Sequence, residues 1–220
     1  MARLCDPRAV FATLPRLKSL WRRERLKPAA AAGAMELGLV TSNAGKVREL
    51  VAALEPLGHT ATQRALEYPE VQAPTLEVVV EFGLDWLAHH YPGEVLLIDD
   101  AGLFVDALGG FPGVYSRYAW DTIGPAGVLA LLGDGEERSA EFRCVLGLLL
   151  PDGGQRLFYG SCRGRVTRAP RGDGGFGYDS VFIPEGDERT FAELPLAEKN
   201  GVSHRGKALA GLVEYLGNSG

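Results

Sequence analysis

Two adjacent aspartates, Asp99 and Asp100, follow a short and fully apolar segment at residues 95–98. Such a segment is typical of a buried strand, and ligands of open α/β sheets bind just beyond the carboxyl ends of the strands. Because successive strand residues point to opposite faces, we expect the two carboxylates to differ in role. One would face a cleft, where it binds Mg²⁺ or activates water, and the other would be structural. The alternative is a pair of turn-forming aspartates, which are common before Ala-Gly.

A polar turn from Thr41 to Lys46 lies between a predicted strand and a predicted helix. Such a turn presents backbone N–H groups and the positive end of a helix dipole, which suits an anion. Its lysine adds a cation, and Ser42 adds a donor. The turn is not a P-loop, because six residues separate Gly38 from Gly45 and no hydroxyl residue follows the lysine. The alternative is an ordinary capped helix start.

The glycine-rich segment from Gly172 to Asp179 includes two aromatic residues, Phe176 and Tyr178. Flexible backbone around an exposed ring is one way in which a protein stacks a planar base. The alternative is that both rings pack on the core, which their spacing does not exclude.

Further charged groups stand near the start of the final predicted helix, where Lys199 precedes the run Ser203-His204-Arg205. A helix start with two cations suits a phosphate or the carbonyl edge of a base. Glu70 gains a role only if the fold brings it near Asp100, because Mg²⁺ commonly takes one or two protein carboxylates plus substrate phosphate. No Ser/His/Asp or Cys/His arrangement supports covalent catalysis.

The elements that must position these groups alternate between strand and helix in the first half of the chain and form a long hairpin in the second. This order predicts an α/β fold with a mixed sheet. Periodicity and turn signals predict strands at residues 36–41, near Thr60, and at 95–98, 140–150, 155–167 and 181–183. They predict helices at residues 45–57, 75–91, 124–132 and 203–216, the last with Ser203 as its N-cap.

The composition excludes several classes of protein. The 220 residues are 46% apolar and 23% charged, which is ordinary for a globular protein, and no apolar run approaches the ~20 residues needed to span a bilayer. The three cysteines, Cys5, Cys144 and Cys162, imply neither a disulfide framework nor a zinc site, which favours a reducing cytoplasm. Cys144 lies in an alternating apolar run and is predicted to be buried.

The net charge changes sign at Met35. Residues 1–34 carry eight basic and two acidic side chains, hence +6, whereas residues 35–220 carry 15 basic and 26 acidic side chains, hence −11. The acidic body argues against broad nucleic-acid binding. Three interpretations of residues 1–34 are open: a targeting presequence, a contact with a membrane or partner, or a segment translated only if Met1 is the true start. We favour the last, or a disordered tail.

Taken together, these segments resemble the inosine triphosphate pyrophosphatase family, whose members hydrolyse non-standard purine nucleoside triphosphates. The resemblance covers essentially all of residues 36–217, and six motifs in the family's order make it far more specific than any single motif. They are TSNAGKVREL (41–50), IDDAGLFVDALGGFPGVYSRY (98–118), GGFGYDSVFIPEG (174–186), TFAEL (190–194), EKN (198–200) and SHRGKAL (203–209). The YPE and LEVVVEFGLDWL segments are most similar to the archaeal branch.

The resemblance implies an elongated α/β fold of two lobes about a mixed sheet, with the active-site cleft between the lobes. It makes residues 35–220 a nucleoside triphosphate pyrophosphatase domain. It further implies Mg²⁺-dependent hydrolysis of ITP, dITP and XTP to the monophosphate and pyrophosphate, by a cytoplasmic homodimer that binds neither membrane nor nucleic acid.

The resemblance also implies a role for each candidate residue. Asp100 would be the general base and, with Glu70, a Mg²⁺ ligand. The triphosphate would be held by Thr41, Ser42, Asn43, Ala44, Gly45 and Lys46. The base pocket would consist of Phe176, which stacks on the purine, with Gly177, Tyr178, Asp179, Lys199, His204 and Arg205. The last three of these would favour a 6-keto purine over a 6-amino purine.

Two features depart from the family pattern. Ala101 stands where many members carry serine after the aspartate pair, so only its backbone N–H remains for a ligand. The helix that carries a Glu-Asn-Ala-x-x-Lys motif in many bacterial members has no lysine here. Neutralisation of phosphate charge would then rest on Lys46, Mg²⁺ and Arg117.

Two other functions stay open at this point. One is a related nucleotide pyrophosphatase with another base preference, such as modified pyrimidines. The other is a non-catalytic nucleotide-binding protein, which the intact Asp99, Asp100, Glu70 and Lys46 disfavour.

Overall fold

A six-stranded mixed sheet, in the order β2-β1-β3-β4-β5-β6, forms the centre of the molecule. The computed structural model describes residues 35–69 and 71–217, so both the predicted extension 1–34 and Glu70 lie outside the described residues. The strands are β1 (Glu36–Leu39), β2 (Thr60–Gln63), β3 (Leu96–Val105), β4 (Ser139–Leu149), β5 (Gln155–Val166) and β6 (Phe182–Pro184). β1 pairs in parallel with β2 and β3, and the remaining neighbours are antiparallel. The predicted mixed α/β sheet is confirmed.

Six α-helices flank this sheet in the described part of the chain. They are α1 (Ala44–Leu54), α2 (Leu76–His90), α3 (Ser116–Thr122), α4 (Gly124–Leu132), α5 (Leu196–Val202) and α6 (His204–Gly217). The four predicted helices are confirmed, and the Ser203 hydroxyl caps α6 by accepting from Gly206 N at 3.1 Å. The sequence did not predict α3 and α5, because a seven-residue helix is too short to show a clear 3.6-residue period.

The helices cover both faces of the sheet, which builds two lobes that share the long central strands. In the first lobe, α1 and α6 pack on one face and α2 packs on the other. In the second lobe, α4, β6 and the segment around Phe191 enclose a core on the distal halves of β3, β4 and β5. This two-lobed arrangement is the one that the family resemblance implies.

β3 is longer than the sequence predicts. It pairs with β4 along its whole length, from Leu96 opposite Leu149 to Val105 opposite Ala140. Asp99 and Asp100 therefore lie in the middle of a strand, and the prediction of a strand that ends before them is wrong. Two carboxylates are tolerated there because Asp99 has cationic partners and Asp100 is only half-buried.

The strand order places a topological switch point at the carboxyl end of β1. The chain passes from β1 through α1 to β2 and from β2 through α2 to β3, and these two helices lie on opposite faces. β1 ends at Leu39, next to Leu97 of β3, while β3 continues past it. Such a switch point is where open α/β sheets bind ligands, and both the Thr41–Lys46 turn and the aspartate pair adjoin it.

The composition predicts a buried Cys144 and no segment long enough to span a bilayer. Cys144 lies in β4 and is 1% exposed, as predicted, and burial raises the pKa of its thiol to about 12. Within residues 35–69 and 71–217, no helix has the length and apolar character needed to cross a bilayer.

Candidate active site

The Thr41–Lys46 turn caps α1 with its own side chains. Asn43 Oδ1 accepts from the backbone N–H groups of Gly45 at 2.9 Å and Lys46 at 3.2 Å. Thr41 Oγ1 accepts in turn from Asn43 N at 3.2 Å. These three backbone N–H groups are therefore satisfied within the turn, as in an ordinary capped helix start. Ser42 and Ala44 are exposed. Phosphate binding at this turn stays a prediction.

A chain of six charged side chains with alternating sign connects this turn to the second lobe. Three cations and three anions compensate one another. The contacts are Lys46 Nζ–Asp99 Oδ1 (3.0 Å), Asp99 Oδ2–Arg205 Nη2 (3.1 Å), Arg205 Nη1–Glu49 Oε2 (2.6 Å), Glu49 Oε1–Lys199 Nζ (2.7 Å) and Lys199 Nζ–Asp179 Oδ2 (2.7 Å). We call these six residues the ion network.

Five members of the ion network are buried, and Lys46 is partly exposed. Burial alone would raise the pKa of Asp99, but the charges of Lys46 and Arg205 outweigh it and the pKa is lowered. Burial likewise opposes the charge of Arg205, yet the carboxylates of Asp99 and Glu49 raise its pKa. Burial raises the pKa of Asp179, an effect that Lys199 counteracts only in part. The opposite charges of the ion network thus compensate one another in a buried position.

The ring of Phe176 lies over two cations of the ion network, Lys199 and Arg205. Its ring centroid lies 4.8 Å from Lys199 Nζ and 5.5 Å from the guanidinium carbon of Arg205, which is within cation–π range. Its backbone N–H donates to Asp179 Oδ2 at 2.8 Å. The next residue, Gly177, has a φ of +62°, a conformation that glycine adopts without strain. The structure therefore brings the predicted aromatic of the glycine loop (residues 171–179) to two of the predicted cations.

Gly45 allows the ring of Phe176 to lie directly against the start of α1, since a Cβ at this position would overlap the ring. We expect Gly45→Ala to lower the free energy of unfolding by about 1–3 kcal/mol, the usual cost of overpacking. Gly201→Ala is the matched control, because Gly201 lies in α5 with no atom within 4 Å of an added Cβ. It should be neutral or stabilising by up to about 1 kcal/mol. Equal unfolding free energies for the two variants would contradict the contact.

Asp100 lies on the sheet face opposite to Asp99. Asp100 and Ile98 lie on the face of the sheet that α2 covers. Tyr68, two residues before Glu70 in the chain, packs against the apolar cluster on this face. Asp100 Oδ1 accepts from Ala101 N at 2.9 Å. The backbone N–H of Ala101, which was expected to be available to a ligand, thus donates to the Asp100 carboxylate. The two carboxylates thus point to opposite faces of the sheet, as expected, and their predicted difference in role stays a prediction.

A Mg²⁺ ion fits the donor chemistry of this position. The half-buried Asp100 carboxylate is oriented by a backbone N–H, and Mg²⁺ prefers such oxygen ligands. Among the residues that the structure describes, no group of three or more His, Cys, Asp or Glu side chains surrounds a metal position. Mg²⁺ usually keeps waters and takes only one or two carboxylates beside the substrate phosphates, so Asp100 could serve as one ligand, and the predicted role of Glu70 stays a prediction.

Tyr178 is buried in the core of the second lobe. Its hydroxyl donates to Ser116 O at 3.2 Å, and its ring makes an edge-to-face contact with Trp120. Burial raises the pKa of the phenol to about 12. The residue therefore joins the glycine loop to α3, and its predicted contact with a base does not follow from this placement.

His204 is also packed in the core. Its ring stacks on Phe142 with centroids 4.6 Å apart, and Nδ1 is buried without a hydrogen-bond partner. Burial, and then the neighbouring charge of Arg205, hold the pKa of the imidazole well below its usual range. The imidazole is therefore neutral, and its predicted contact with a base is not evident in this position.

The buried neutral His204 gives stability a pH dependence. Its pKa is 6.5 when unperturbed and far lower in the fold, so below pH 6.5 the unfolded chain binds one more proton. The free energy of unfolding therefore keeps the full contribution of the neutral His204 above pH 6.5. Below this pH it falls by about 1.4 kcal/mol per pH unit. His204→Phe keeps a ring on Phe142 and should remove that slope between pH 6.5 and 5 in urea titrations. Parallel slopes for the variant and the wild type would contradict this assignment.

Glu49 links two cations at the centre of the ion network and is a site residue that the sequence did not predict. It lies in α1 three residues after Lys46 and is 3% exposed. A carboxylate next to Leu50 on the apolar side of a predicted helix was the available signal. Arg117, in contrast, has a largely exposed side chain that pairs with Asp121 at 2.7 Å, so its predicted contribution at the phosphates has no support in the structure.

Fold and site together define a two-lobed α/β enzyme whose charged groups gather at the switch point of its sheet. The chain belongs to the Ham1 family, whose model matches residues 37–215. Relatives named dITP/XTP pyrophosphatase are 50% identical in Thermococcus kodakarensis and 49% identical in Pyrococcus horikoshii. Each match covers 83% of this chain and 97% of the relative. The chain is accordingly a hydrolase that acts on acid anhydrides.

Solved structures support the same assignment. The Ham1 protein of Staphylococcus aureus superimposes with a TM-score of 0.72 at 27% identity, over 84% of this chain and 100% of that one. A HAM1 protein from Coxiella burnetii gives a TM-score of 0.70 at 34% identity, over 84% and 99% of the two chains.

Proposed function

We propose that this protein hydrolyses the non-standard purine nucleoside triphosphates dITP, ITP and XTP to the monophosphate and pyrophosphate, with Mg²⁺. The observation that carries the proposal is the placement of Lys46 and Asp100 beside β1 at the switch point, one from each side of β3. Relatives named dITP/XTP pyrophosphatase, which this chain matches over nearly their whole length, support the substrate class.

Asp100 is the proposed general base. The N–H of Ala101 fixes the direction of its carboxylate, so the group can take a proton from a water molecule as that water attacks the α-phosphorus. The proton moves to the carboxylate, the new P–O bond forms, and the bond to the pyrophosphate oxygen breaks. No side-chain nucleophile is needed.

The phosphate charge requires neutralisation, and Lys46 is the partly exposed cation at the turn. Its ammonium already contacts Asp99 at 3.0 Å, so a polyphosphate would share it with that carboxylate. Asp100 and Glu70 are the residues proposed to hold Mg²⁺. When bound, the ion would polarise phosphoryl oxygens and neutralise the leaving pyrophosphate.

Base selection is proposed to reside at the other end of the ion network. Lys199 and Arg205 are hydrogen-bond donors beneath the ring of Phe176, and the 6-keto oxygen of hypoxanthine or xanthine is an acceptor. A 6-amino group would present a donor to these donors and would itself be left without an acceptor in a buried position. Such mismatches discriminate strongly between substrates.

Phosphorus NMR of the products tests the reaction most simply. With dITP and Mg²⁺ we expect dIMP and pyrophosphate in equal amounts, and loss of the reaction in excess EDTA that added Mg²⁺ restores. Release of inorganic phosphate with dIDP would contradict cleavage at the α-phosphorus, and full activity in EDTA would remove the metal from the proposal.

The assembly and location remain proposals by resemblance: a cytoplasmic homodimer with neither nucleic acid nor membrane as a partner. Sedimentation velocity of residues 35–220 should show a dimer at micromolar concentration. A single species near the monomer mass would contradict this part of the proposal.

A further inference from the structure

The TFAEL motif, residues 190–194, takes no part in the proposed chemistry, yet its first two residues are completely buried. Thr190 and Phe191 are each 0% exposed. We call residues 190–194 the anchor segment, because it lies between the core of the second lobe and the glycine loop. No side chain of the anchor segment belongs to the ion network.

The backbone of the anchor segment holds the glycine loop at two points. Gly174 N donates to Ala192 O at 3.1 Å, and Ala192 N donates to Asp179 O at 3.2 Å. A Cβ at Gly172 or Gly174 would meet backbone atoms around Ala192 at 2.6–2.8 Å. The loop therefore lies directly on the backbone of the segment, a close approach that only glycine allows.

The side chains add a second set of links at the beginning of the loop. Thr190 Oγ1 donates to Arg171 O at 2.8 Å. Glu193 Oε2 accepts from Thr190 N at 2.7 Å and lies 3.3 Å from Arg171 Nη2. Glu193 thus ties the turn of the anchor segment to the residue with which the glycine loop begins.

The opposite side of the anchor segment is fixed to the core. Phe191 N donates to Phe182 O at 3.0 Å, and the Phe191 ring packs against Phe142 and Phe182. The same ring lies 5.7 Å from Lys199 Nζ. The anchor segment therefore contacts both the glycine loop, which carries Phe176 and Asp179, and the environment of Lys199, the cation that these two residues contact.

We propose that the anchor segment sets the position of the glycine loop and that Glu193 is a positioning residue for base recognition. This inference rests on the proposed function. Asp179 is bound through its backbone carbonyl to the segment and through its carboxylate to Phe176 N and Lys199. A loosened segment would therefore displace the stacking ring and the carboxylate together, while Asp100, on the other side of β3, keeps its place.

Steady-state kinetics with dITP and dATP test this inference. Glu193→Ala removes both links of the carboxylate and should raise KM for dITP about tenfold, the size expected of a partly exposed charged hydrogen bond. The preference for dITP over dATP should fall by a similar factor, while kcat changes by less than about threefold. Glu193→Gln keeps an acceptor for Thr190 N and should restore most of the loss.

Glu136→Ala is the matched control, because Glu136 pairs with Arg168 at the same 3.3 Å in the same lobe and has a 97% exposed side chain. It should leave KM and selectivity unchanged. Hydrogen exchange gives a readout without substrate: in Glu193→Ala, amides of residues 172–180 should exchange faster while the melting temperature shifts no more than in the control.

The outcomes separate the inference from the function on which it rests. Wild-type KM, selectivity and exchange in Glu193→Ala would overturn the positioning role, as would a loss of kcat and stability with unchanged KM. If the wild type does not prefer dITP to dATP, the proposed function fails. Faster exchange of residues 172–180 in the variant would then still support the anchoring of the loop.

Discussion

Asp100→Asn is expected to reduce kcat for dITP by about 10³-fold, within the range that general bases contribute, and to leave the fold intact. The amide has nearly the shape of the carboxylate and can still accept from Ala101 N, but it cannot take a proton from water. Stopped-time assays of pyrophosphate release, beside circular dichroism and thermal unfolding, would measure both quantities.

The adjacent Asp99→Asn provides the contrast. Asp99 compensates Lys46 and Arg205 in the ion network, and its lowered pKa means that its contribution is present above pH about 4 and is lost as the pH falls further. Its substitution should therefore lower stability strongly at neutral pH. Full activity in Asp100→Asn, or a large loss of stability in that variant alone, would contradict the division of roles between the two carboxylates.

Glu49→Gln is expected to destabilise the protein by about 3 kcal/mol, because removing one partner of a buried ion pair leaves charge uncompensated. The amide keeps one oxygen acceptor but turns an NH₂ donor towards the second cation, so one of the contacts with Lys199 (2.7 Å) and Arg205 (2.6 Å) is lost. The network also gains a net positive charge in a buried position. Urea unfolding should show a lower midpoint with an unchanged slope.

The Arg64–Glu94 pair is the matched control for this prediction. Its contact of 2.8 Å is as short, but the two side chains are 42% and 32% exposed. Glu94→Gln should therefore change stability by no more than about 1 kcal/mol, as is typical of surface pairs. Equal effects of Glu49→Gln and Glu94→Gln would show that burial of the ion network contributes nothing to stability.

Much of the fold follows from local pattern. The 3.6-residue period of α2, the alternation of β4 and the turn signal before β5 are enough to predict element type and approximate bounds. The length of β3 does not follow, because two aspartates in its middle match the pattern of a strand end. Only pairing with the full length of β4 and compensation of Asp99 by two cations make the longer strand stable.

The site is predicted less completely, since its contacts join residues far apart in the chain. Lys46, Asp179, Lys199 and Arg205 were identified from local motifs, and the structure brings them together. Glu49 was not identified, because nothing nearby in sequence shows that it meets a lysine 150 residues away. Tyr178 and His204 share those motifs but lie in the core, which motif membership does not reveal.

The central claim is hydrolysis of the non-standard purine nucleoside triphosphates dITP, ITP and XTP at the α-phosphorus. Its most direct test is pyrophosphate release from ITP, dITP, XTP, dATP and dGTP at equal concentrations with Mg²⁺. We expect kcat/KM for dITP, ITP and XTP to exceed that for dATP by at least about 10²-fold, because the 6-amino group of adenine would meet donors and find no acceptor. Release from dITP no faster than from dATP, or tight binding of dITP without turnover, would contradict the account.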